Sequence, residues 1–370
     1  LIILSAGWLL NNRRSLKLHG RPLWFFILAF LAAILIATVH SLNIQRSLMQ
    51  LHKYIYSILV FFAVANFTPR LKRILMLSLV LTAGLVSLQA ILWLFYGAPA
   101  LVRFLNANGI YYNFATEFLS RGRAFIPFIL PAVLGGYLIM ALPISIAYSL
   151  TNYKNRNTPF IKRPITNSLL LIPVILIFSA LILTKAISPV VSLAGAFLIF
   201  SGLQTSRIKN QRSMVPFLFM VILAVILIVR SHNVGYWQNP IFSLGQRRLY
   251  WHNTWLVIKQ FPLFGIGPGN MPFVGSRFSH NSYLQLWAET GIFGLTAFLG
   301  IAAATLKRCL PPGGCSDKMF NAFYVANLAF LLHNITDFTF FLPEVSLLWW
   351  IAIALLDNAG RQPGEGAAAA

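Results

Sequence analysis

The chain has 370 residues, of which 58% are hydrophobic and only 10% charged, and its mean hydropathy is +0.74. That balance excludes a soluble globular domain and predicts an integral membrane protein. The net charge of +22 would point to nucleic acid in a soluble chain; here it follows from membrane topology, and no nucleic-acid partner is expected.

Residues 1–10 read as the end of a span, so an N-terminal start is expected outside the sequence, and no signal peptide is recognisable. Apolar runs then predict spans at 22–40, 54–67, 74–96, 125–150, 168–184, 187–204, 214–230, 282–306, 319–336 and 343–357. The expected fold is all-α: one polytopic membrane domain over 1–370, a bundle of about 11–12 transmembrane helices. Alternate short loops (11–21, 68–73, 151–163, 205–212 and 307–318) carry 17 Lys and Arg and one acidic residue, Asp317. The positive-inside rule assigns them to the cytoplasm, so the two longest loops, 97–124 and 231–281, face outward.

The outward cations run against that bias. They are Arg103, Arg121 and Arg123 in the first large loop, Lys185 in a tight turn, and Arg247, Arg248, Lys259 and Arg277 in the second large loop. Glu117 is the only carboxylate in those two loops. Such cations suit an anionic ligand, phosphate above all, although each one alone equally suits lipid head groups.

Several smaller motifs carry nothing. Cys309 and Cys315 in "CLPPGGC" lack zinc spacing, and "GIGPGN" at 265–270 lacks the final glycine and βαβ context of a nucleotide loop, so it reads as a tight turn with close backbone approach. The chain has seven carboxylates and no HExxH, EF-hand or P-loop motif, so neither a metal nor a cofactor is expected.

The segment "QRRLYWHNTWLVIKQFPLFG", 246–265, interleaves Leu249, Trp251, Trp255, Leu256 and Phe261 with Arg247, Arg248, His252 and Lys259. It predicts an amphipathic helix at the membrane surface, stopped by Pro262 and Gly265. Arg277, His280 and Asn281 follow, with Ser279 as the expected N-cap of the next helix, whose N-terminus would favour an anion or a sugar oxygen. His280 titrates near neutrality and sits among cations that favour its neutral form, which suits a general base. Glu289, nine residues on, lies on roughly the opposite face of that helix and is expected to hold another helix structurally.

"WHNTWLVIKQFPLFGIGPGNM" followed by "SHNSYLQLWAETGIFGLTAFL" resembles the signature segment of the O-antigen ligase and O-antigen polymerase superfamily, GT-C-type membrane glycosyltransferases. The likeness extends more weakly to "SRGRAFIPFILPAVLGGYLIMALPI" and "HNITDFTFFLPEVSLLWWI". The resemblance implies transfer of glycan from undecaprenyl diphosphate, at the periplasmic face of the inner membrane, to lipid A core (ligase) or to another lipid-linked glycan (polymerase). It implies His280 as the residue activating the acceptor, with one of Arg121/Arg123 and one of Arg247/Arg248 at the diphosphate. At "LTKAISPVV" the chain departs from a Ser-Arg-Gly turn, and Lys185 stands in for the cation; Arg277 and Asn281 are expected to support the acceptor or the site. The basic outer face favours the ligase, whose acceptor is rich in phosphate. The competing class is a transporter of lipid-linked sugars. That class calls for ionisable groups deep in helices or repeated halves; neither is seen in the sequence, and His333 with Asp337 forms at most a small polar site toward one helix end.

Overall fold

The computed structural model describes residues 22–110, 122–154, 169–205, 242–272, 276–308 and 317–359. The spans expected at 1–10 and 214–230, together with Arg121, Glu117, Cys309 and Cys315, lie outside the described residues. Among the described residues every regular element is helical. In chain order these are α1 (Pro22–Val39), α2 (Ile44–Ala65), α3 (Pro69–Leu92), α4 (Ala98–Ala107), α5 (Pro131–Lys154), α6 (Leu171–Leu183), α7 (Ile187–Thr205), α8 (Phe242–Gln260), α9 (Ser282–Arg308), α10 (Lys318–His333) and α11 (Pro343–Ala359). Five stretches among them are long and apolar enough to cross a membrane: Pro22–Val39, Ile44–Ala65, Pro69–Ala107, Pro131–Thr151 and Ser282–Lys307. The chain is a multi-pass helical membrane protein.

Within these helices several hydroxyls return to their own backbone. Thr38 donates to Ile34 O at 2.8 Å, Ser57 to Lys53 O at 2.8 Å and Ser87 to Ala83 O at 2.7 Å. In an apolar setting this satisfies each hydroxyl without a partner helix.

Two boundaries differ from the sequence reading. The span placed at 54–67 belongs to a helix that starts at Ile44, where Asn43 Oδ1 accepts from Arg46 N at 3.0 Å and caps it. The hydropathy window missed that first half because Arg46, His52 and Lys53 dilute it, yet helix geometry carries them along. At the other boundary, α3 continues through a π turn, Trp93–Gly97, into α4, so the loop expected at 97–124 begins as helix. The register change falls just before Pro99, whose ring and missing N–H disrupt a regular α ladder.

The chain divides into two compact units. The first comprises residues 1–72, 241–315 and 331–370; the second comprises 73–240 and 316–330. In the first unit α1 packs against α2 and α9, α2 against α11, and α8 against α9. Its core is aromatic: Phe298 meets Phe340 at 4.8 Å between centroids and Trp349 at 5.4 Å. In the second unit α5 packs against α6 and α7.

The segment 261–270 packs against the first half of α9. α9 breaks at Gly291, whose φ of 68° and ψ of −176° leave the helical region. Around the break, carbonyls that a continuous helix would occupy are taken by the glycine-rich loop: Ile266 N donates to Ala288 O at 2.9 Å and Gly267 N to Glu289 O at 3.0 Å. Ile292 N in turn donates to Pro262 O at 3.0 Å. Backbone groups inside an apolar bundle need such partners. Gly265, at φ 69°, lies so close to the Glu289 carbonyl that a Cβ would collide with it. "GIGPGN" is therefore a close-approach turn, as its composition suggested.

Candidate active site

His280 lies in the turn between the glycine-rich segment and α9, and its φ of 53° is left-handed. A non-glycine residue held there is strained, and the surroundings show what holds it. Tyr250 of α8 stacks on the imidazole at 5.4 Å between centroids with planes 20° apart, and Phe338 meets it edge-on at 4.8 Å and 89°. Trp251 Nε1 donates to the His280 carbonyl at 3.4 Å, and Phe278 stacks on Phe338 at 4.1 Å.

The imidazole is largely enclosed, and its Nδ1 is buried without a hydrogen-bond partner among the described residues. Burial is the main influence lowering the His280 pKa below the usual histidine value. The Asp337 carboxylate raises it and the Arg247 guanidinium lowers it further. The sequence reading credited the cations with keeping His280 neutral; burial is the larger cause and Arg247 a smaller one. Of the arginine pair, Arg247 is half-buried and acts on His280, whereas Arg248 is exposed.

The helix after His280 is capped differently from expectation. Asn281 Oδ1 accepts from Tyr283 N and Leu284 N, both at 3.0 Å, and so performs the N-cap role assigned to Ser279. Ser279 instead braces the turn, its hydroxyl donating to Asn281 O at 2.6 Å and accepting from Asn281 N at 3.2 Å. Ser282 N is taken by the carbonyls of Asn334 and Asp337 at 2.9 and 3.1 Å, and Ser282 Oγ donates to Asn334 Oδ1 at 2.6 Å. The first N–H groups of α9 are thus satisfied internally, and the expectation that they receive an anion is corrected.

The turn 334–341 was legible as a small polar site, His333 with Asp337, and as a weaker part of the resemblance. It supplies Phe338 and Asp337 to His280, and Asn334 Oδ1 also accepts from Phe340 N at 2.9 Å. Behind it His333 Nε2 lies 3.7 Å from Asp337 Oδ2, both buried. Tyr250 was missed as well; its only signal was an aromatic residue beside the arginine pair.

Beneath His280 a polar relay runs into the bundle. Ser279 N donates to Gln285 Oε1 at 3.0 Å, Gln285 Nε2 to Glu289 Oε1 at 2.9 Å, and Gly269 N to Glu289 Oε2 at 3.0 Å. Glu289 binds its own helix and the glycine-rich loop, not another helix as expected. Its contact with His280 is indirect, through Gln285 and the Ser279 backbone. A cavity of about 270 Å³ adjoins this relay, lined among others by Glu289, Gln285, Lys53 and Arg277, the last exposed. Lys53 and Glu289 both lie inside apolar helices, so the expectation of no charge within a span is corrected.

α8 also differs from a helix with separate apolar and polar faces. Thr254 and Ile258 are buried, and the exposed stripe mixes Arg248, His252 and Lys259 with Leu249, Trp255 and Leu256. This mixture of rings and cations suits head-group depth.

In the second unit Arg123 and Lys185 come together. Arg123 Nε donates to Thr184 O at 2.9 Å and its Nη2 to Lys185 O at 3.5 Å. Lys185 has a left-handed φ of 48°, and burial, then the nearby Arg123 charge, lowers its pKa. The two cations named from separate segments thus form one corner.

The family model described as O-antigen ligase matches residues 172–299. Over that segment the chain is similar to the O-antigen ligase family. The match includes Lys185, Arg247, Arg248 and His280 and leaves Arg123 outside. No curated protein and no solved structure matches the chain significantly.

Proposed function

We propose that the chain is an O-antigen ligase of the inner membrane. It transfers glycan from undecaprenyl diphosphate to a sugar hydroxyl of lipid A core at the periplasmic face, completing lipopolysaccharide. His280 takes the proton of the acceptor hydroxyl as that oxygen attacks the anomeric carbon. The bond from this carbon to the phosphate oxygen breaks with inversion, and undecaprenyl diphosphate leaves with the bonding electron pair. No metal is needed, because guanidinium groups offset the charge developing on the leaving group. Arg247 and Arg248 are the proposed diphosphate contacts of the first unit, and Arg277 and Asn281 support the site. Arg123 and Lys185 are proposed as an anion-binding corner of the second unit, with Arg121 beside them in sequence.

The observation that carries this reading is the placement of His280. Its imidazole is clamped in a strained backbone conformation between Tyr250 and Phe338, with burial and Arg247 favouring the neutral, basic form.

The test is transfer by purified protein supplied with undecaprenyl-diphosphate-linked glycan and lipid A core in EDTA. Glycan on lipid A core is the expected product, and His280→Ala should lower the rate about 10²- to 10⁴-fold in a folded protein. Longer glycans still on the carrier, with the core untouched, would establish the polymerase instead. No transfer to either acceptor by folded protein would favour transport of lipid-linked sugars, and an unaffected His280→Ala variant would remove His280 from the chemistry.

A further inference from the structure

Apart from Arg277, the residues lining the cavity beside Glu289 have no part in the chemistry above, yet the cavity is unusual for its place. Glu289 is 2% exposed and inside α9, and Lys53 faces the same space from inside α2. Ionisable residues within apolar spans mark functional sites, because burying them without a role is costly.

The lining narrows the occupant. Lys53 donates, Glu289 accepts, Gln50 and Gln285 do both, and the rings of Phe340 and Trp350 form apolar wall. Of the two cations in the lining Arg277 is exposed, and a phosphate beside Lys53 would face a like charge in the buried Glu289 carboxylate. A divalent cation would find one carboxylate where several oxygen ligands are required. An apolar tail would set hydrocarbon against the Lys53 ammonium and the Gln50 amide. A saccharide ring satisfies all three kinds of wall, since its hydroxyls donate and accept and its C–H faces lie flat on aromatic rings. About 270 Å³ is below the range typical of drug-sized ligands and suits a single ring.

We infer that this cavity binds one saccharide ring of a glycan substrate, with Glu289 and Gln285 as hydrogen-bonding partners of its hydroxyls. The inference rests on the glycan-transfer reading above and adds a subsite to it. Each Glu289 oxygen has a partner already, Gly269 N on one and Gln285 Nε2 on the other, and a carboxylate has about four acceptor positions, so capacity remains. Gln285 also accepts from the backbone of Ser279, next to His280, so a ring held here is tied to the turn that carries the base. Glu289 and Gln285 are binding and positioning residues in this scheme, not catalytic ones.

The experiment titrates the full chain in nanodiscs with two probes by calorimetry: deacylated, dephosphorylated core oligosaccharide, and O-glycan released from its carrier. One probe should bind wild type, and which one identifies the ring as belonging to acceptor or donor. Ser346→Leu fills the cavity from α11 and Glu289→Gln removes the charge. Each should weaken that probe about tenfold or more and raise KM for the corresponding substrate. Where one variant fails to fold, the other carries the test. Should wild type transfer no glycan yet bind a probe that Ser346→Leu does not, the cavity assignment stands and the transferase reading falls. Unchanged binding and KM in a folded Ser346→Leu variant, or no binding of either probe by wild type, overturns the assignment.

Discussion

Tyr250 lies over the imidazole of His280, 5.4 Å between centroids and within 20° of parallel, and so couples the surface helix α8 to the turn that opens α9. The contact matters because His280 holds a left-handed backbone conformation that its own residue type does not favour. We expect Tyr250→Ala to lower kcat about tenfold or more through misplacement of the imidazole, with Tyr250→Phe close to wild type because the ring and not the hydroxyl makes the stack. Steady-state transfer kinetics on the three proteins check this; equal losses in both variants would shift the role to the phenol.

The pH dependence of kcat/KM gives a second check. Burial lowers the His280 pKa, so the basic form persists below the usual value of 6.5, and the acid limb of the profile should fall there. Arg247 lowers this pKa, so Arg247→Gln should move the limb upward. Asp337 raises it, so Asp337→Asn should move the limb downward, while the retained amide oxygen can still accept from Phe338 N. Shifts in the same direction for both variants would contradict the assignment of the limb to His280.

Asn281 caps α9 through two backbone N–H groups. Asn281→Ala should cost about 1 kcal/mol and lower Tm, and Asn281→Ser should restore most of it. Ser279→Ala should not reproduce the capping loss; a larger effect there than at Asn281 would return the cap to Ser279.

Gly265 combines a positive φ with backbone contact to the Glu289 carbonyl. Gly265→Ala should destabilise by about 1–3 kcal/mol from backbone conformation alone, with the collision adding to it. Thermal unfolding of the detergent-solubilised protein measures this, and a wild-type Tm would refute the close-approach reading of the turn.

Much of the site was legible because its signals are local. His280, the paired arginines and the glycine-rich turn stand in one stretch of sequence, and their residue types restrict what they can do. Glu289 shows the limit: spacing placed it away from His280 by treating both as residues of one helix, whereas His280 precedes that helix and nothing local revealed that Gln285 links Glu289 to Ser279. Lys53 shows another, since an average over hydropathy places a charged turn outside a span that the capped helix in fact includes.

By itself, then, the sequence determined the membrane class, the all-helical architecture and the chemically capable residues, because hydropathy, helical period and side-chain chemistry are properties of short segments. Only the tertiary structure decided that Tyr250 and Phe338 clamp His280, that Arg247 and not Arg248 acts on it, and that Arg123 joins Lys185. It also decided that Lys53 and Glu289 share one cavity. These are pairings between residues far apart in the chain. Periodicity says which face of a helix is buried; what that face meets depends on packing that no single segment encodes.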